Sequence, residues 1–351
     1  MPKDNENIPF FSDEPLVPSE SQAFAPDQMV RCEECLRSNP PTRLSCLYCA
    51  APLPVSEKTA DLLKPSLKPV QNWALGYNNI FLPQAIEIPS DALSEAAGLL
   101  KLNPNVLRRL LSSPTPVPLA RTDTRKEAEL IDRRLKSLGF ETAMISDADL
   151  ELRESPPIRL RSVSIDENGL TPKLIVESDE SQIPWRQLVL LVTGRLSRKR
   201  VELQERKGVR GENEIQDASQ FFADEAVVDL YGEDPYAKFR ILANGFDFSG
   251  LRGKRLLVAE NFSMLLDLIR DHAPRAEYDD AYNSCRQALE IAWPCGQQTE
   301  SRGWRRERPG KYTIGAVTES SNEDQFTRYS RLRYFLKRQA RSDSDHDEDY
   351  A

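Results

Sequence analysis

Four cysteines near the start of the chain form its clearest chemical pattern. Cys32 and Cys35 make one CxxC pair, Cys46 and Cys49 make a second, and ten residues separate the two pairs. A tight turn lets each pair present two thiolates, and two pairs supply the four soft ligands that tetrahedral zinc prefers. The sequence therefore predicts one structural zinc ion. Because all four ligands are cysteines, no coordination position remains for a water molecule, and such a closed site does not hydrolyse substrates.

Two redox-active CxxC pairs are the alternative interpretation of the same residues. A redox pair of this kind is expected where a strand turns into a helix, as in thioredoxin. The cysteines instead surround a loop that contains Pro40 and Pro41. The pattern therefore favours a metal over a redox centre.

The complete spacing is Cys-x2-Cys-x3-Asn-x6-Cys-x2-Cys, with Asn39 as the inner residue. It resembles the small zinc finger of the Ran-binding nucleoporin type. The resemblance implies two crossed hairpins that hold zinc, tied together by the side chain of Asn39. The family has Trp two positions before the first cysteine, where this chain has Val30. Family members that bind RNA stack bases on aromatic and Arg side chains; here only Arg37, Arg43 and Tyr48 are available, which favours a structural or protein-binding ribbon.

The rest of the sequence offers no assembled catalytic group. His346 lies in an acidic tail, and His272 lies near the end of a predicted helix, where a positive charge suits the helix dipole. Asp279 and Asp280 are adjacent and are predicted to cap a helix rather than to share a proton. No phosphate-binding glycine motif is present in the sequence. The sequence therefore predicts a protein that is not an enzyme.

Two basic segments, 195–210 and 300–341, interrupt a chain whose net charge is −8. The overall charge argues against a general nucleic-acid coat, but basic residues interleaved with aromatic ones can bind a polyanion. A protein-docking face and a solvated face, neutralised by the acidic tail, are the alternatives. The candidate contact residues for a polyanion or a protein partner are Arg198, Lys199, Arg200, Arg302, Trp304, Arg305, Arg306 and Arg308.

The sequence contains no run of 18 apolar residues and no apolar segment at its start. It therefore predicts neither a transmembrane helix nor a secretory signal peptide. Cys285 and Cys295 are ten residues apart, so a disulfide is one interpretation. Free thiols in a reducing compartment are the simpler one, and we expect a cytoplasmic protein.

Composition and breaker residues divide the chain into seven parts. The predicted parts are a disordered acidic N-terminus at 1–29, the zinc ribbon at 30–52, a linker at 53–74, an α/β module at 75–150, a β domain at 158–273, a helical C-terminal segment at 275–341 and a disordered acidic tail at 342–351.

The module at 75–150 shows helix signals followed by strand signals. Ser90 is a predicted cap for a helix through Leu100, and a second helix begins at Asn103-Pro104. Residues 124–127 form a capping-box pattern, from Thr124 to Glu127, and residues 141–145 are a predicted strand. A further strand at 117–120 contains a proline, which places it at a sheet edge.

The element order over residues 99–145 resembles the C-terminal domain of the bacterial ribosomal stalk protein, a fold shared with the Clp protease adaptor. Both relatives are protein-docking modules. The resemblance therefore implies an α/β docking module here.

Residues 158–273 change to a period of two, which is typical of antiparallel strands with one buried face. A turn signal at 166–169, an apolar strand at 183–192 and an alternating segment at 246–248 fit this pattern. A helix with Phe262, Leu265, Leu266 and Ile269 on one stripe closes the run before Pro274. Strands followed by one helix resemble a pleckstrin-homology-like barrel, and the Ile-Pro-Trp entry at 183–185 is similar to its bacterial members. A plain antiparallel α+β domain is the alternative.

The C-terminal part is predicted to hold a helix at 279–291, a loop rich in Gly and Arg at 302–311 and a helix at 323–338. The last helix carries an apolar stripe of Phe326, Tyr329, Leu332 and Leu336. The stripe fits core packing, with a groove for a partner helix as the alternative.

These observations predict a multidomain α+β protein of bacterial type. We expect a non-enzymatic cytoplasmic adaptor or regulatory protein that binds other proteins and contains one structural zinc ion. The alternative is a nucleic-acid-binding or ribosome-associated protein that uses the ribbon and the basic loops.

Overall fold

The computed structural model describes residues 24–54, 63–85, 87–153, 156–174, 182–207, 213–234, 237–308 and 311–348. The contacts divide the chain into two units, Met1–Ser66 and Leu67–Ala351. The described residues contain strands and six α-helices. This mixture agrees with the predicted α+β class. Within these residues, no helix combines the length and apolar character that are needed to span a bilayer.

The first unit is built from short hairpins. Strands β1 (Val30–Arg31) and β2 (Ser38–Asn39) pair antiparallel, with Val30 opposite Asn39. An isolated bridge joins Ser45 to Pro52. Among the described residues, the buried cluster at the cysteines contains Cys32, Cys46 and Leu53. A core of this size is too small to stabilise a fold without a further constraint.

The second unit begins with a three-stranded sheet covered by helices. Its elements are β3 (Tyr77–Phe81), α1 (Ser90–Leu100), α2 (Pro104–Leu111), β4 (Val117–Thr122), α3 (Arg125–Ser137) and β5 (Thr142–Ser146). The strand order is β4-β3-β5 and both pairings are antiparallel. The predicted edge position of the proline-containing strand is therefore confirmed. Strand β3 escaped sequence analysis because two of its five residues are asparagines, Asn78 and Asn79, and both are buried.

Two predicted helix caps differ in the structure. Pro89, not Ser90, occupies the cap position of α1, and Ser90 is its first helical residue. Thr124 caps α3 by position, but its side chain makes no capping hydrogen bond. The carboxylate of Glu127 is buried and accepts a hydrogen bond from the Leu67 backbone N–H at 2.7 Å. The capping-box prediction was wrong. Thr124 makes no side-chain capping hydrogen bond, and the Glu127 carboxylate binds the backbone N–H of a distant residue, Leu67.

A nine-stranded sheet forms the larger part of the second unit. Its strands are β6 (Ile158–Ile165), β7 (Gly169–Leu174), β8 (Ile183–Pro184), β9 (Leu188–Lys207), β10 (Asn213–Gly232), β11 (Lys238–Leu242), β12 (Glu277–Asp279), β13 (Gly296–Arg308) and β14 (Lys311–Ser321). The order is β13-β14-β9-β10-β11-β6-β7-β8, with β12 also paired to β9. The predicted turn at 166–169 is confirmed, because the Asp166 carboxylate accepts hydrogen bonds from the Asn168 and Gly169 N–H groups.

The sheet differs from the predicted antiparallel domain in two pairings. β6 lies parallel to β11, and β12 lies parallel to β9. Sequence alternation reports the buried face of a strand and carries no information on the direction of its neighbour. Among the described strands the order is an open path from β13 to β8, so closure into a barrel stays a prediction.

The predicted strand at 246–248 is irregular in the structure. Phe246 and Phe248 are both buried and their rings meet edge to face at 4.8 Å. Their spacing therefore reflects packing into the core and not a strand. The predicted helix that follows is confirmed as α4 (Val258–His272), with Phe262, Leu265 and Ile269 buried.

The C-terminal part is less helical than the sequence predicted. α5 (Tyr282–Leu289) is shorter than the predicted helix at 279–291, and Asp279 ends strand β12 instead of capping the helix. The predicted loop at 302–311 lies largely in the hairpin of β13 and β14, which extends the sheet beside β9. The Arg-rich sequence of this segment has no strand pattern. The strand forms because its backbone pairs with the neighbouring strand. α6 (Glu323–Glu348) continues past residue 342, where a disordered tail was predicted.

The predicted boundaries at 150–158 and 273–275 fall inside a shared core. One buried cluster contains Ile80 of β3, Val192 of β9, Tyr282 of α5 and Phe326 of α6. Trp293 is also buried there, and its Nε1 donates to Asn78 Oδ1 at 2.7 Å. Of the predicted apolar stripe on the last helix, Phe326, Tyr329 and Leu332 are fully buried and Leu336 packs against the same cluster. Core packing, and not a groove for a partner helix, accounts for this stripe.

The contact of β9 with α5 and α6 generates a stability prediction. A Cβ atom on Gly194 would lie 2.7 Å from a ring carbon of Phe326 and 2.8 Å from one of Tyr282. We expect Gly194→Ala to lower the free energy of unfolding by about 1–3 kcal/mol, because these packed rings must move. Gly98→Ala in α1 is the matched control, since its Cβ would meet nothing within 4 Å. That change should raise stability by about 0.5–1 kcal/mol; equal urea midpoints for the two variants would contradict the prediction.

Candidate metal centre

The first cysteine pair lies in a turn closed by two backbone hydrogen bonds. The Cys32 N–H donates to Arg37 O at 3.0 Å, and the Leu36 N–H donates to Cys32 O at 3.0 Å. Leu36 has a left-handed backbone with φ of 59°. This geometry directs the Cys32 and Cys35 thiols to the same side of the turn.

The second cysteine pair repeats the first. The Cys46 N–H donates to Ala51 O at 2.8 Å, and the Ala50 N–H donates to Cys46 O at 3.1 Å. Ala50 has φ of 60°, matching Leu36 at the equivalent position of the first turn. The two turns therefore place two thiols each by the same backbone arrangement.

The four sulfur atoms face one point. Cys32 Sγ lies 3.6 Å from Cys49 Sγ, and Cys35 Sγ lies 3.5 Å from Cys46 Sγ. All four Sγ atoms lie within 4.8 Å of one another. Sulfur ligands at about 2.3 Å from a tetrahedral ion are about 3.8 Å apart. The predicted ligands thus lie close enough together to hold one metal ion.

Asn39 ties the two turns together, as the sequence predicted. It is fully buried, and its Oδ1 accepts from the Leu47 N–H at 2.8 Å. Its Nδ2 donates to Arg37 O at 3.0 Å and contacts Cys46 Sγ at 3.4 Å. One side chain therefore links the strand after the first turn to the backbone and the sulfur of the second.

The environment of Cys46 favours its thiolate. Burial opposes ionisation, but N–H groups of Tyr48, Cys49 and Asn39 point at the sulfur and lower the pKa of Cys46 to about 6. The Tyr48 N–H lies 3.4 Å from this sulfur. A metal ligand must be a thiolate, so these donors prepare Cys46 for coordination. Donor type and spacing fit a bound metal, and four cysteine ligands leave no open position for a substrate.

The described part of the first basic segment, 195–207, lies on β9, and two of its predicted contact residues pair with acids. Arg200 contacts Glu202 at 2.7 Å and Glu319 at 3.4 Å, and Arg198 lies 3.7 Å from Glu323. Lys199 between them is exposed. Carboxylates on β9, β14 and α6 therefore offset the charge of Arg198 and Arg200.

The candidate contact residues of the second basic segment lie on β13. The side chains of Arg302, Trp304, Arg305, Arg306 and Arg308 fall outside the part of the chain that the structure describes. The backbones of Trp304, Arg305, Arg306 and Arg308 pair with β14, which pairs in turn with β9. The candidate contact residues of the two segments thus belong to one sheet, separated by one strand.

The remaining candidates are integrated into the fold. His272 Nδ1 lies 2.8 Å from Leu268 O, and its ring packs 5.0 Å from Trp185. Cys285 and Cys295 are free thiols. Burial raises the pKa of both thiols to about 12, so neither is an activated nucleophile.

Sequence analysis missed the buried polar residues of the second unit. Asp147 is fully buried and binds Arg121 at 2.6 Å. Asp279 is buried and accepts from the Tyr329 hydroxyl at 2.9 Å. Neither site has a local sequence signal, because the partners lie on different elements.

Comparison of the chain with models of protein families, with curated proteins and with solved structures finds no match. The site must therefore be interpreted from its own geometry.

We expect the purified chain to carry about one equivalent of metal. Cys46→Ser should lose this metal and make residues 30–52 sensitive to protease, because ligand binding supplies the folding free energy of such small units. Cys295→Ser, which changes a cysteine outside the cluster, should keep the metal. Elemental analysis and limited proteolysis measure both, and a segment that stays protected in chelator would contradict the prediction.

The two roles of Asn39 can be separated by substitution. Asn39→Ala removes the acceptor for the Leu47 N–H and the side-chain link between the two turns, which costs about 1–3 kcal/mol. We expect metal affinity to fall about 10–100-fold, as for other lost supporting contacts. Asn39→Asp keeps the acceptor but places a carboxylate beside the Cys46 thiolate, so it too should weaken binding. Competition with a chromophoric chelator measures the affinity, and full affinity in Asn39→Asp would show that the contact with sulfur contributes nothing.

Proposed function

We propose that this protein is a non-enzymatic adaptor whose N-terminal ribbon, stabilised by one structural zinc ion, binds another protein. Four thiolates at tetrahedral spacing support zinc as the metal, because zinc prefers sulfur ligands in closed structural sites. The zinc ion supplies folding free energy and no chemistry. The function then lies in the surface that the ribbon presents.

The observation that carries the proposal is the exposure of large apolar side chains on both cysteine turns. Leu36 is 59% exposed, Leu47 is 53% exposed and Tyr48 is 57% exposed. Leu36 follows the last cysteine of the first turn, and Leu47 follows the first cysteine of the second. Several large exposed apolar side chains on a unit this small support a protein-binding role for its surface.

The ribbon's basic and aromatic side chains are already engaged with the ribbon itself. The Arg37 guanidinium lies 4.6 Å from the centre of the Tyr48 ring. The Arg43 Nε donates to Ser45 O at 3.3 Å. Stacking of RNA bases would have to displace these contacts. They support a protein as the partner of this surface.

The second unit supports the adaptor proposal through its element order. Residues 77–146 follow the order strand, helix, helix, strand, helix, strand, which agrees with the resemblance to the stalk-protein domain and its docking role. Residues 158–272 place strands before a helix, as the pleckstrin-homology-like resemblance implies, although the parallel pairing of β6 departs from the antiparallel barrel. We propose both as protein-binding modules.

A nucleic-acid-binding protein is the alternative, and one observation favours it. The two basic segments lie on β9 and β13 of the same sheet. Their side chains could then act on one polyanion. The pairing of Arg198 and Arg200 with carboxylates weakens this alternative.

Affinity purification from the native host, with and without nuclease, tests the proposal. Partners should survive nuclease and should be lost from Leu47→Asp, which alters the exposed apolar surface. Elemental analysis of Leu47→Asp should still find the metal, because Leu47 contributes only its backbone N–H to the site. Glu33→Lys, an exposed charge change in the same unit, is the control and should keep the partners. Partners that disappear with nuclease would favour the alternative.

Binding to short RNA and DNA, followed by fluorescence anisotropy, tests the alternative directly. We expect no micromolar binding at about 150 mM salt. If the basic segments do bind phosphates, affinity must fall steeply with salt, and replacing Arg305 and Arg306 by Ala must reduce that slope. Salt-sensitive micromolar binding would overturn the adaptor proposal.

A further inference from the structure

A cavity of about 700 Å³ opens beside the first turns of α6 in the second unit. Apolar side chains of Trp73, Leu75, Leu152 and Pro294 form part of its wall, and Arg328 forms another part. Trp73 is 75% exposed, so its ring is available at this site. The volume and the mixed lining suit a small organic molecule with one charged group.

Arg328 is a buried cation whose hydrogen bonding is incomplete. Only 4% of the residue is exposed. Its Nη2 donates to Asn72 O at 3.0 Å, but its buried Nε has no hydrogen-bond acceptor among the described residues. Asp147 Oδ1 lies 3.9 Å from this Nε, which is too far for a hydrogen bond. The guanidinium therefore keeps donor capacity that the fold leaves unused.

Asp147 reaches Arg328 only through a long ion pair of 3.9 Å, because other donors already occupy its carboxylate. Arg121 binds Oδ2 through Nη2 at 2.6 Å and Nε at 3.1 Å. The Gly76 N–H donates to Oδ2 at 2.9 Å, and Asn78 Nδ2 donates to Oδ1 at 2.9 Å. Burial and then the nearby Arg121 charge lower the pKa of Arg328, against the opposing charges of Asp147 and Asp324. An added anion would offset the repulsion from Arg121.

The wall of the cavity is held in place by the same two arginines. Arg121 donates to Val70 O at 3.0 Å and to Ala74 O at 2.6 Å. Arg328 holds the intervening Asn72 carbonyl. The segment that carries Trp73 is thus fixed to the core before any ligand binds, which lowers the entropic cost of binding.

We propose that this cavity binds a carboxylate with an apolar or aromatic group, the carboxylate on Arg328 and the apolar group against Trp73. A carboxylate suits a guanidinium because charge-assisted hydrogen bonds between the two are strong. A dianionic phosphate suits the cavity less, because Asp147 and Asp324 also line it. A free organic acid and the C-terminus of a peptide offer the same chemistry, and the experiment below distinguishes these two sources.

The test uses the full chain and N-acetyl-L-phenylalanine, with N-acetyl-L-phenylalaninamide as the neutral match. Saturation-transfer NMR and tryptophan fluorescence should show saturable binding of the acid and at least tenfold weaker binding of the amide, because charge-assisted hydrogen bonds contribute about 1.5–3 kcal/mol. The peptide Ala-Ala-Ala-Phe with a free C-terminus is the second probe. Tighter binding than the single residue indicates a peptide terminus, and equal or weaker binding indicates a small acid.

Three variants complete the test. Arg328→Gln should weaken binding of N-acetyl-L-phenylalanine at least tenfold. Trp73→Ala removes an exposed side chain, so it keeps the fold and tests the site even if Arg328→Gln is unstable; it should weaken binding several-fold. Arg255→Gln, at an arginine outside the cavity whose side chain is 62% exposed, should change nothing. Any of three results would overturn the proposal. They are equal binding of the acid and the amide, unchanged binding in Trp73→Ala, and no saturable binding at acid concentrations up to about 10 mM, about ten times a Kd of 1 mM.

Discussion

The second unit depends on buried carboxylates that each hold a guanidinium. The three pairs are Asp147 with Arg121 at 2.6 Å, Asp229 with Arg240 at 2.7 Å and Asp279 with Arg333 at 2.5 Å. Removing one partner of such a buried pair costs about 3–5 kcal/mol. Each pair joins two different elements. Asp279 of β12 and Arg333 of α6 form the pair that connects the nine-stranded sheet to α6.

Helix α6 is the element on which two of these pairs converge. Arg240 of β11 also donates to Thr327, and Asp279 also accepts from Tyr329, both on α6. Phe326 and Leu332 on the same helix are fully buried. The helix thus brings apolar and charged groups into one interface. Its position places Thr327 beside Arg240 and Arg333 beside Asp279. Arg328 on the same helix has only a long ion pair with Asp147, at 3.9 Å, and its Nε has no hydrogen-bond acceptor among the described residues.

The N-terminal unit has no such buried ion pairs among its described residues, and its interior is built around cysteines. Its core of Cys32, Cys46 and Leu53 is too small to stabilise the fold through apolar burial alone. Four converging thiols and the side chain of Asn39 replace that missing core. A bound metal would stabilise the ribbon from inside, so its outward side chains need not form a core. Leu36 and Leu47 are exposed on the ribbon, and the proposed partner would contact them.

The sequence alone determined the features that depend on neighbouring residues. The cysteine spacing and Asn39 identified the four thiols that converge and the side chain that links their turns, because each turn closes within a few residues. The apolar periods identified most helices, and a local turn signal identified the turn at 166–169. The tertiary structure alone decided what depends on distant residues. Strand β13 forms through pairing with β14, Asp279 is buried by Tyr329 and Arg333, and one core crosses the predicted boundaries at 150–158 and 273–275. Such contacts leave no local pattern, because the residues that meet are separated by long stretches of chain and are joined only by the fold.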